Sequence, residues 1–329
     1  MANPPSRLDL LIPGLLHLAP SDIDLGRLRA IAPTLYKVLR FADRAPCEAR
    51  DFDQILASLL GEAQGGLPYA RGITEGRGEP PGDAEILFRP VFLKADINNA
   101  IVFPLPGFQS DIDTIINDLE GFFKDDFTLE ALPGGIWLMR LHRCRPVTRT
   151  PHYLNAVGKK VTHYLEQARG NLEWFKLFNE MQMYLHQHPL NQQRLQQGQA
   201  MANSLWCWGG DEPGQGTRRY AAWYSDDIEL RDLGRLYADR VGALGDLPRQ
   251  HPAGNLLAVD LRVLHSLKSG ADSDSMQLLA DIENSYLHDS MHAGVSMLHL
   301  YTGAAVDLHF TPRHSWRLWR SASWSFPLQ

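Results

Sequence analysis

"NSLWCWGG", residues 203–210, is the stretch whose reading decides the fold. Its alternation suits a strand, with Leu205 and Cys207 facing one side and Trp206 and Trp208 the other. Gly209 and Gly210 then let the backbone leave the sheet, turn sharply and approach something closely. A strand ending in glycine at the edge of an α/β sheet is a common place for a ligand, and also for a plain turn.

Upstream, residues 152–198 are strongly helical. Trp174, Leu177, Phe178, Met181, Tyr184 and Leu185 mark one apolar face, Pro189 ends that helix and Gly198 ends the next. Glu180, beside that face, is expected at its exposed edge. Downstream, "AAWYS", "NLLAVDL" and "VSMLHLY" read as strands, with "DSMQLLADIENSYLHDSMHAG" as a helix between the last two. "DLHFTP" and "SWRLWRS" read as a closing hairpin. Near the N-terminus "LDLLIPGLL" reads as a central strand running into a turn at Pro13-Gly14. Leu25, Leu28, Ile31, Leu35, Val38 and Leu39 recur at helical spacing, with Pro33 as a break between two short helices. "DFDQILASLLGEA" is a further helix, capped by Asp51 or Asp53. Strands and helices alternate, which predicts an α/β fold with a mostly parallel sheet covered on both faces.

The middle of the chain has another texture. Residues 65–85 are dense in Gly and Pro and predict a loop or a domain edge. "LFRPVFLKAD" and "AIVFPL" read as strands joined by "INN". "SDIDTIINDLEGFF" reads as a helix capped by Ser110 or Asp111, burying Ile112, Ile115, Ile116, Leu119 and Phe122. "FTLEALPGGIWLMRL" reads as two more strands. This run predicts a small α+β unit over residues 66–145, inserted between residues 1–65 and 146–329 of a main α/β domain.

The 329 residues are 44% hydrophobic and 21% charged, with a net charge of −6. A packed core is expected, and there is no electrostatic case for binding nucleic acid or an anionic membrane. Cys47, Cys144 and Cys207 are scattered without CxxC spacing, so neither a cysteine zinc site nor a disulfide framework is expected, and a reducing cytoplasm fits. Asp9 and Pro13 interrupt the apolar N-terminal stretch, which reads as a buried strand rather than an export signal. No apolar run approaches the roughly 20 residues that cross a bilayer.

Residues 186–210, "HQHPLNQQRLQQGQAMANSLWCWGG", resemble the part of archaeal-type cofactor-independent phosphoglycerate mutases in which an "hPvNxxR" helix leads into "aNxiWlWGxG". The match falls on His188, Pro189, Asn191, Arg194, Asn203, Trp206, Trp208 and Gly209. Pro81-Gly82-Asp83 and Arg89, in "PGDAEILFRPVFLKADINNAIVF", are similar to the start of that family's inserted domain. "RPVFLKAD", "NEMQMYLHQHPLN", "NSLWCWGG" and the terminal "WRLWR" are similar to a bacterial offshoot of the group, the RpfE-type regulatory proteins. The resemblance implies an alkaline-phosphatase-like α/β fold with an inserted α+β domain. It also nominates Arg89, His188, Asn191, Arg194, Asn203, Trp206, Trp208 and Gly209 as ligand-binding residues.

Mutases of this superfamily transfer a phosphoryl group through a serine, with two divalent metals clamping the oxygens. The metals need Asp and His ligands gathered at the carboxyl ends of several strands. In the family the first strand ends in "lDG". Here residues 11–16 read "LIPGLL", and Pro13, which cannot bind a metal, stands where the Asp is expected. Asp9 falls several residues early, within the strand. The family's "DEAGHDGD" has no counterpart, because residues 266–276 offer Asp272 and Asp274 without a suitably spaced histidine. "TGDHSTP" is echoed only by "TGAAVDLHFTPRHS", residues 302–315, where Asp307 and His309 are pushed apart. Val306, Leu308 and Phe310 alternate there like an ordinary strand. The expectation is a mutase-like protein that has lost the two-metal reaction, with no catalytic residue and no cofactor, acting as a regulator on a small anionic ligand or a protein partner. The alternative is an active mutase or phosphatase holding two divalent metals, Mn or Zn. Its rearranged ligands would come from Asp9, Asp22, Asp24, Asp272, Asp274, Asp307, His309 and His314.

Plainer readings stand beside these. His186 and His188, two apart on a helix, point to nearly opposite sides and do not chelate together. Arg194 can bind an anion or simply pair with a carboxylate. Asn203 can fix a turn, and the two tryptophans can serve as core aromatics. "GGDEPGQG", residues 209–216, lacks the Lys-Ser/Thr of a P-loop, and its Asp211 and Glu212 repel phosphate. No GxSxG nominates a serine nucleophile.

Overall fold

A computed structural model describes residues 7–18, 23–62, 66–80, 82, 84–96, 99–105, 110–146, 150–168, 171–212, 220–247, 254–269, 274–292 and 295–317. Contacts divide the chain into one unit made of Met1–Gly61 with Gln215–Gln329 and a second made of Glu62–Gly214. The first unit opens with β1 (Arg7–Leu11), α1 (Leu25–Ile31), α2 (Pro33–Phe41), β2 (Asp43–Pro46) and α3 (Phe52–Leu60). The second unit holds α4 (Tyr69–Gly76), β3 (Glu85–Asp96), β4 (Asn99–Phe103), α5 (Ser110–Phe122), β5 (Phe127–Leu132) and β6 (Ile136–Leu141). It continues through α6 (Tyr153–Ala156), α7 (Thr162–Ala168), α8 (Leu172–Gln187), α9 (Pro189–Gln196) and β7 (Ser204–Trp208). The chain returns to the first unit with β8 (Ala222–Ser225), α10 (Ile228–Tyr237), β9 (Val241–Gly242), β10 (Asn255–Val259) and α11 (Arg262–Ser269). It ends with α12 (Ser275–Ile282), α13 (His288–His292), β11 (Met297–Tyr301) and β12 (Val306–Phe310).

Local chemistry sets the helix boundaries. Asp24 accepts the Gly26 and Arg27 amides at the start of α1. Asp51 and Gln54 form a capping box on α3, and Asp274 accepts two amides at the start of α12. Pro33 opens α2, whose next two amides, of Thr34 and Leu35, are taken by the buried carboxylate of Glu283 at 2.9 and 3.0 Å. Glu283 begins a π-helical turn, Glu283–Leu287, between α12 and α13.

The sheet of the first unit has seven strands in the order β2-β12-β11-β1-β10-β8-β9. β11, β1, β10, β8 and β9 run parallel, and β12 and β2 add an antiparallel edge. One face carries Leu8, Leu10, Leu256, Ala258, Leu298, Leu300, Leu308 and Phe310 into a core closed by α1, α2 and α12. On the other face, Gly234 of α10 packs so closely on Trp223 that an added Cβ would lie 2.7 Å from the indole. Helices therefore flank both faces, as the alternating pattern predicts.

The second unit is built on an antiparallel sheet in the order β4-β3-β6-β5, with β7 also paired to β3. Ile86, Phe88, Ile115, Leu119, Met139, Leu177, Met181, Leu205 and Cys207 form its core, supplied by the sheet, α5 and α8.

Five expectations need correction. β7 does not lie at the edge of the parallel sheet but pairs with β3, from Leu87↔Trp208 to Val91↔Ser204. Because α8 packs on the same core, the second unit extends to Gly214 rather than ending at residue 145. α4 forms within the Gly/Pro-rich stretch, since Tyr69, Ala70 and Ile73 give it a buried stripe and Arg71–Glu75 an i,i+4 pair. Phe122 is 68% exposed, and Phe123 takes the buried position instead. Finally, β12 forms its hairpin with β11, and residues 312–316 make a 3₁₀ turn.

Candidate functional site

The parallel sheet carries one unusual row. The strand registers align Trp223, Leu257, Asp9, His299, His309 and Asp43 across β8, β10, β1, β11, β12 and β2. The row passes from apolar to charged, and Asp9 at its centre is completely buried. A buried carboxylate needs compensation. Asp9 Oδ2 accepts from Arg7 at 2.8 Å and from the Tyr220 hydroxyl at 3.1 Å, and Oδ1 faces His299 Nδ1 at 3.3 Å. Burial, with the Asp9 charge second, raises the pKa of both Tyr220 and Tyr301, so both stay protonated. His299 and His309 stack with centroids 4.2 Å apart. Burial and then the neighbouring His299 lower the pKa of His309. Asp307 pairs with Arg50 at 2.7 Å, while Asp43 pairs with Arg317 and lies 3.5 Å from His314.

The carboxyl ends of parallel strands are where ligands sit in such sheets. After β1 comes the Pro13-Gly14 turn. Gly14 has φ +84°, donates to the Thr302 carbonyl at 2.9 Å, and leaves only 2.7 Å between an added Cβ and Leu267 of α11. That turn is thus packed against a helix. After β10, Asp260 is fully buried and held by Arg262 through both oxygens and by the Tyr286 hydroxyl at 2.9 Å. Burial, then Asp260, raises the Tyr286 pKa. After β8, Asp226 accepts the Leu244 amide and Asp227 lies 3.2 Å from His265. The Asp260–Arg262–Tyr286 group was not singled out in the sequence. Its only signal there is an Asp directly after a buried apolar run.

Could these residues hold two divalent metals? Asp307 and His309 lie within β12, committed to Arg50 and to the His299 stack. Asp274 is a helix cap, Asp24 is another, and Asp22 and Asp272 lie outside the described residues. Asp9 Oδ1 and Asp307 Oδ1 are buried without a hydrogen bond, which is what a ligand atom would look like. Each carboxylate already carries a guanidinium on its other oxygen, however, and that charge repels a dication. Among the described residues no group of three or more His, Cys, Asp or Glu is placed to hold a metal ion. Among the described residues, the candidate ligands are not gathered into a two-metal centre.

In the second unit, the ligand-binding candidates are engaged by the protein itself. Asn191 is fully buried and donates to the Leu185 and Ala202 carbonyls while accepting the Ala202 amide. Arg194 pairs with Asp111 at 2.6 Å and donates to the Ala200 carbonyl, the carboxylate alternative of its sequence reading. His188 caps α9 through Nδ1 and meets Asp118 through Nε2 at 3.1 Å. Asn203 bridges both backbone groups of Leu93. Arg89 donates to the Gly134 carbonyl and lies over the Tyr153 ring. Trp206 donates to the Pro151 carbonyl, and Trp208 packs on His152 and Tyr153. Gly209 has φ +74°, and a Cβ there would lie 2.7 Å from Tyr69 Cβ. Only glycine fits that turn. Gly209 and Gly210 then line a polar cleft of about 200 Å³ with Arg71 and Arg145 and with three carboxylates, Glu85, Asp211 and Glu212.

The first unit is a mostly parallel sheet flanked by helices and the second an antiparallel sheet with helices, a mixed α/β architecture. No protein-family model matches the chain. Over 99 residues, 29% of its length, the chain is 31% identical to the "Probable 2,3-bisphosphoglycerate-independent phosphoglycerate mutase" of Geobacter sulfurreducens. The match spans about a quarter of that curated relative, 24% of its length. Among solved structures, the PH0037 protein of Pyrococcus horikoshii aligns over 96% of this chain and 92% of its own, at TM-score 0.51 and 13% identity, a likeness of fold. The cofactor-independent phosphoglycerate mutase of Thermoplasma acidophilum aligns over 93% of this chain and 90% of its own, at TM-score 0.42 and 14% identity.

Proposed function

We propose that this chain is a phosphoglycerate-mutase-like protein of alkaline-phosphatase-like fold in which the two-metal centre has been replaced by internal ion pairs. It acts by binding rather than by phosphoryl transfer, in a regulatory role akin to that of the RpfE-type proteins. The observation that carries this reading is the fate of the carboxylates. Asp9, Asp260 and Asp307 each spend their charge on an arginine of the same unit. A carboxylate held this way is a poor metal ligand, and Pro13 supplies none in place of the Asp that the resemblance expects. The short match to the Geobacter mutase supports the family side of the reading.

The test is an isomerisation assay. Purified protein at high concentration is incubated with 3-phosphoglycerate and excess Mn²⁺ or Zn²⁺, and ³¹P NMR follows the 2- and 3-isomers. No interconversion above the blank is expected. Turnover that a chelator abolishes would overturn the reading in favour of a metal-dependent mutase with rearranged ligands.

A further inference from the structure

α5 and α8 bury one face each in the second unit's core, yet they leave apolar surface uncovered. Between them runs a groove of about 640 Å³. Its walls include Phe122 and Met183, which are 68% and 61% exposed, together with Tyr184. Phe122 lies 4.8 Å from the Tyr184 ring and 4.9 Å from that of Phe123, so the aromatic floor is continuous. Two adjoining exposed side chains of this size are what an interaction surface presents, and methionine adapts its shape to what it meets.

The charge around the groove selects the partner. Asp118 and Glu180 line it, and among the described residues no Lys or Arg does. α5, "SDIDTIINDLEGF", carries four carboxylates and no basic residue. Asp111 is taken up by Arg194 and Glu120 by the Leu129 amide, whereas Asp118 pairs with His188 Nε2 and is 55% exposed. We propose that this groove docks an amphipathic helical segment of a partner protein. Apolar side chains at i and i+4 would lie on Phe122, Tyr184 and Met183, and flanking Lys or Arg would pair with Asp118 and Glu180. A helix laid into a groove between two helices buries one stripe and leaves its ends free for such pairs. This identifies the chemistry of the protein partner in the binding reading above, and its test involves no metal, so either can fail without the other.

The probe is a display library of random 16-residue peptides, selected on the full chain. Enriched peptides are expected to share two apolar positions three or four apart with Lys or Arg nearby. They should bind the Phe122→Ser/Met183→Ser variant at least ~10-fold more weakly, the size set by losing two apolar anchors. Asp118→Asn/Glu180→Gln should weaken binding less and reduce its dependence on salt. Both pairs are exposed, so far-UV circular dichroism and Tm should match the parent. Three results would overturn the proposal: no enriched family, an acidic or uncharged consensus, or peptides that bind parent and Phe122→Ser/Met183→Ser equally. Sedimentation showing a dimer that the Phe122→Ser/Met183→Ser change dissolves would also overturn it, because a second copy would then be the occupant.

Discussion

Replacing Arg7 by Met should destabilise the first unit by about 2–3 kcal/mol. Arg7 donates to Asp9 at 2.8 Å, and the Asp9 carboxylate is fully buried. At an effective dielectric of about 20, charges about 4 Å apart attract by about 4 kcal/mol. Removing one partner of a buried pair costs roughly 3–5 kcal/mol, because the other charge is left uncompensated. Two features reduce that figure here. The Arg7 side chain is 37% exposed, so water already screens part of the attraction, and Tyr220 and His299 remain beside Asp9. A loss of that size lowers Tm by roughly 4–12 °C for a unit of this length. Urea unfolding at pH 7, followed by circular dichroism, supplies the free energies of the parent, Arg7→Met, Asp9→Asn and the double variant. The double variant should cost less than the two single changes together, by about 1–2 kcal/mol. Costs that add to within about 0.5 kcal/mol would show that Arg7 and Asp9 are not coupled, and the reasoning would fail.

Three further outcomes follow from the same geometry. Gly209→Ala places a Cβ in the left-handed region and against Tyr69, and should cost about 2–4 kcal/mol in urea unfolding, whereas a cost under about 0.5 kcal/mol would mean the turn relaxes freely. The folded pKa of His309 lies below its ordinary value, so its neutral form is favoured on folding. The stability tied to it is complete above about pH 6.5 and falls as pH drops from there through the lower folded pKa; His309→Gln should flatten that slope, and an unchanged slope would refute the assignment. Burial pushes the Cys207 thiol up, so it should resist iodoacetamide in the native protein at pH 7.5 while reacting in urea, which peptide mass spectrometry reads directly.

Much of this fold is visible in local pattern. The apolar run of β1, the break at Pro33, the α5 and α8 stripes and the strands β8, β10 and β11 all follow from local pattern over fewer than twenty residues. Partner choice between strands is not local. β7 pairs with a strand more than a hundred residues earlier, and nothing in "SLWCW" says which sheet will receive it. The same limit hides the site. Asp9 could be seen as misplaced for a metal ligand, but its bond to Tyr220 and the Arg50–Asp307 pair each join residues over two hundred positions apart. The strand reading of residues 306–310 agrees with β12, because alternation is local even where the pairing is not. Phe122 and Phe123 show the finest limit: adjacent aromatics at the end of a helix differ by 100° of rotation, and only packing decides which one is buried.

The central claim is that the carboxylates near this sheet belong to arginines and not to metals. The most direct measurement is a calorimetric titration of the chelator-stripped chain with Mn²⁺ at pH 7.5. The account predicts no saturable heat below about millimolar metal, where simple carboxylate surfaces begin to bind. Two sites saturating at micromolar Mn²⁺, lost in Asp307→Asn or His309→Gln, would contradict it and restore the two-metal reading.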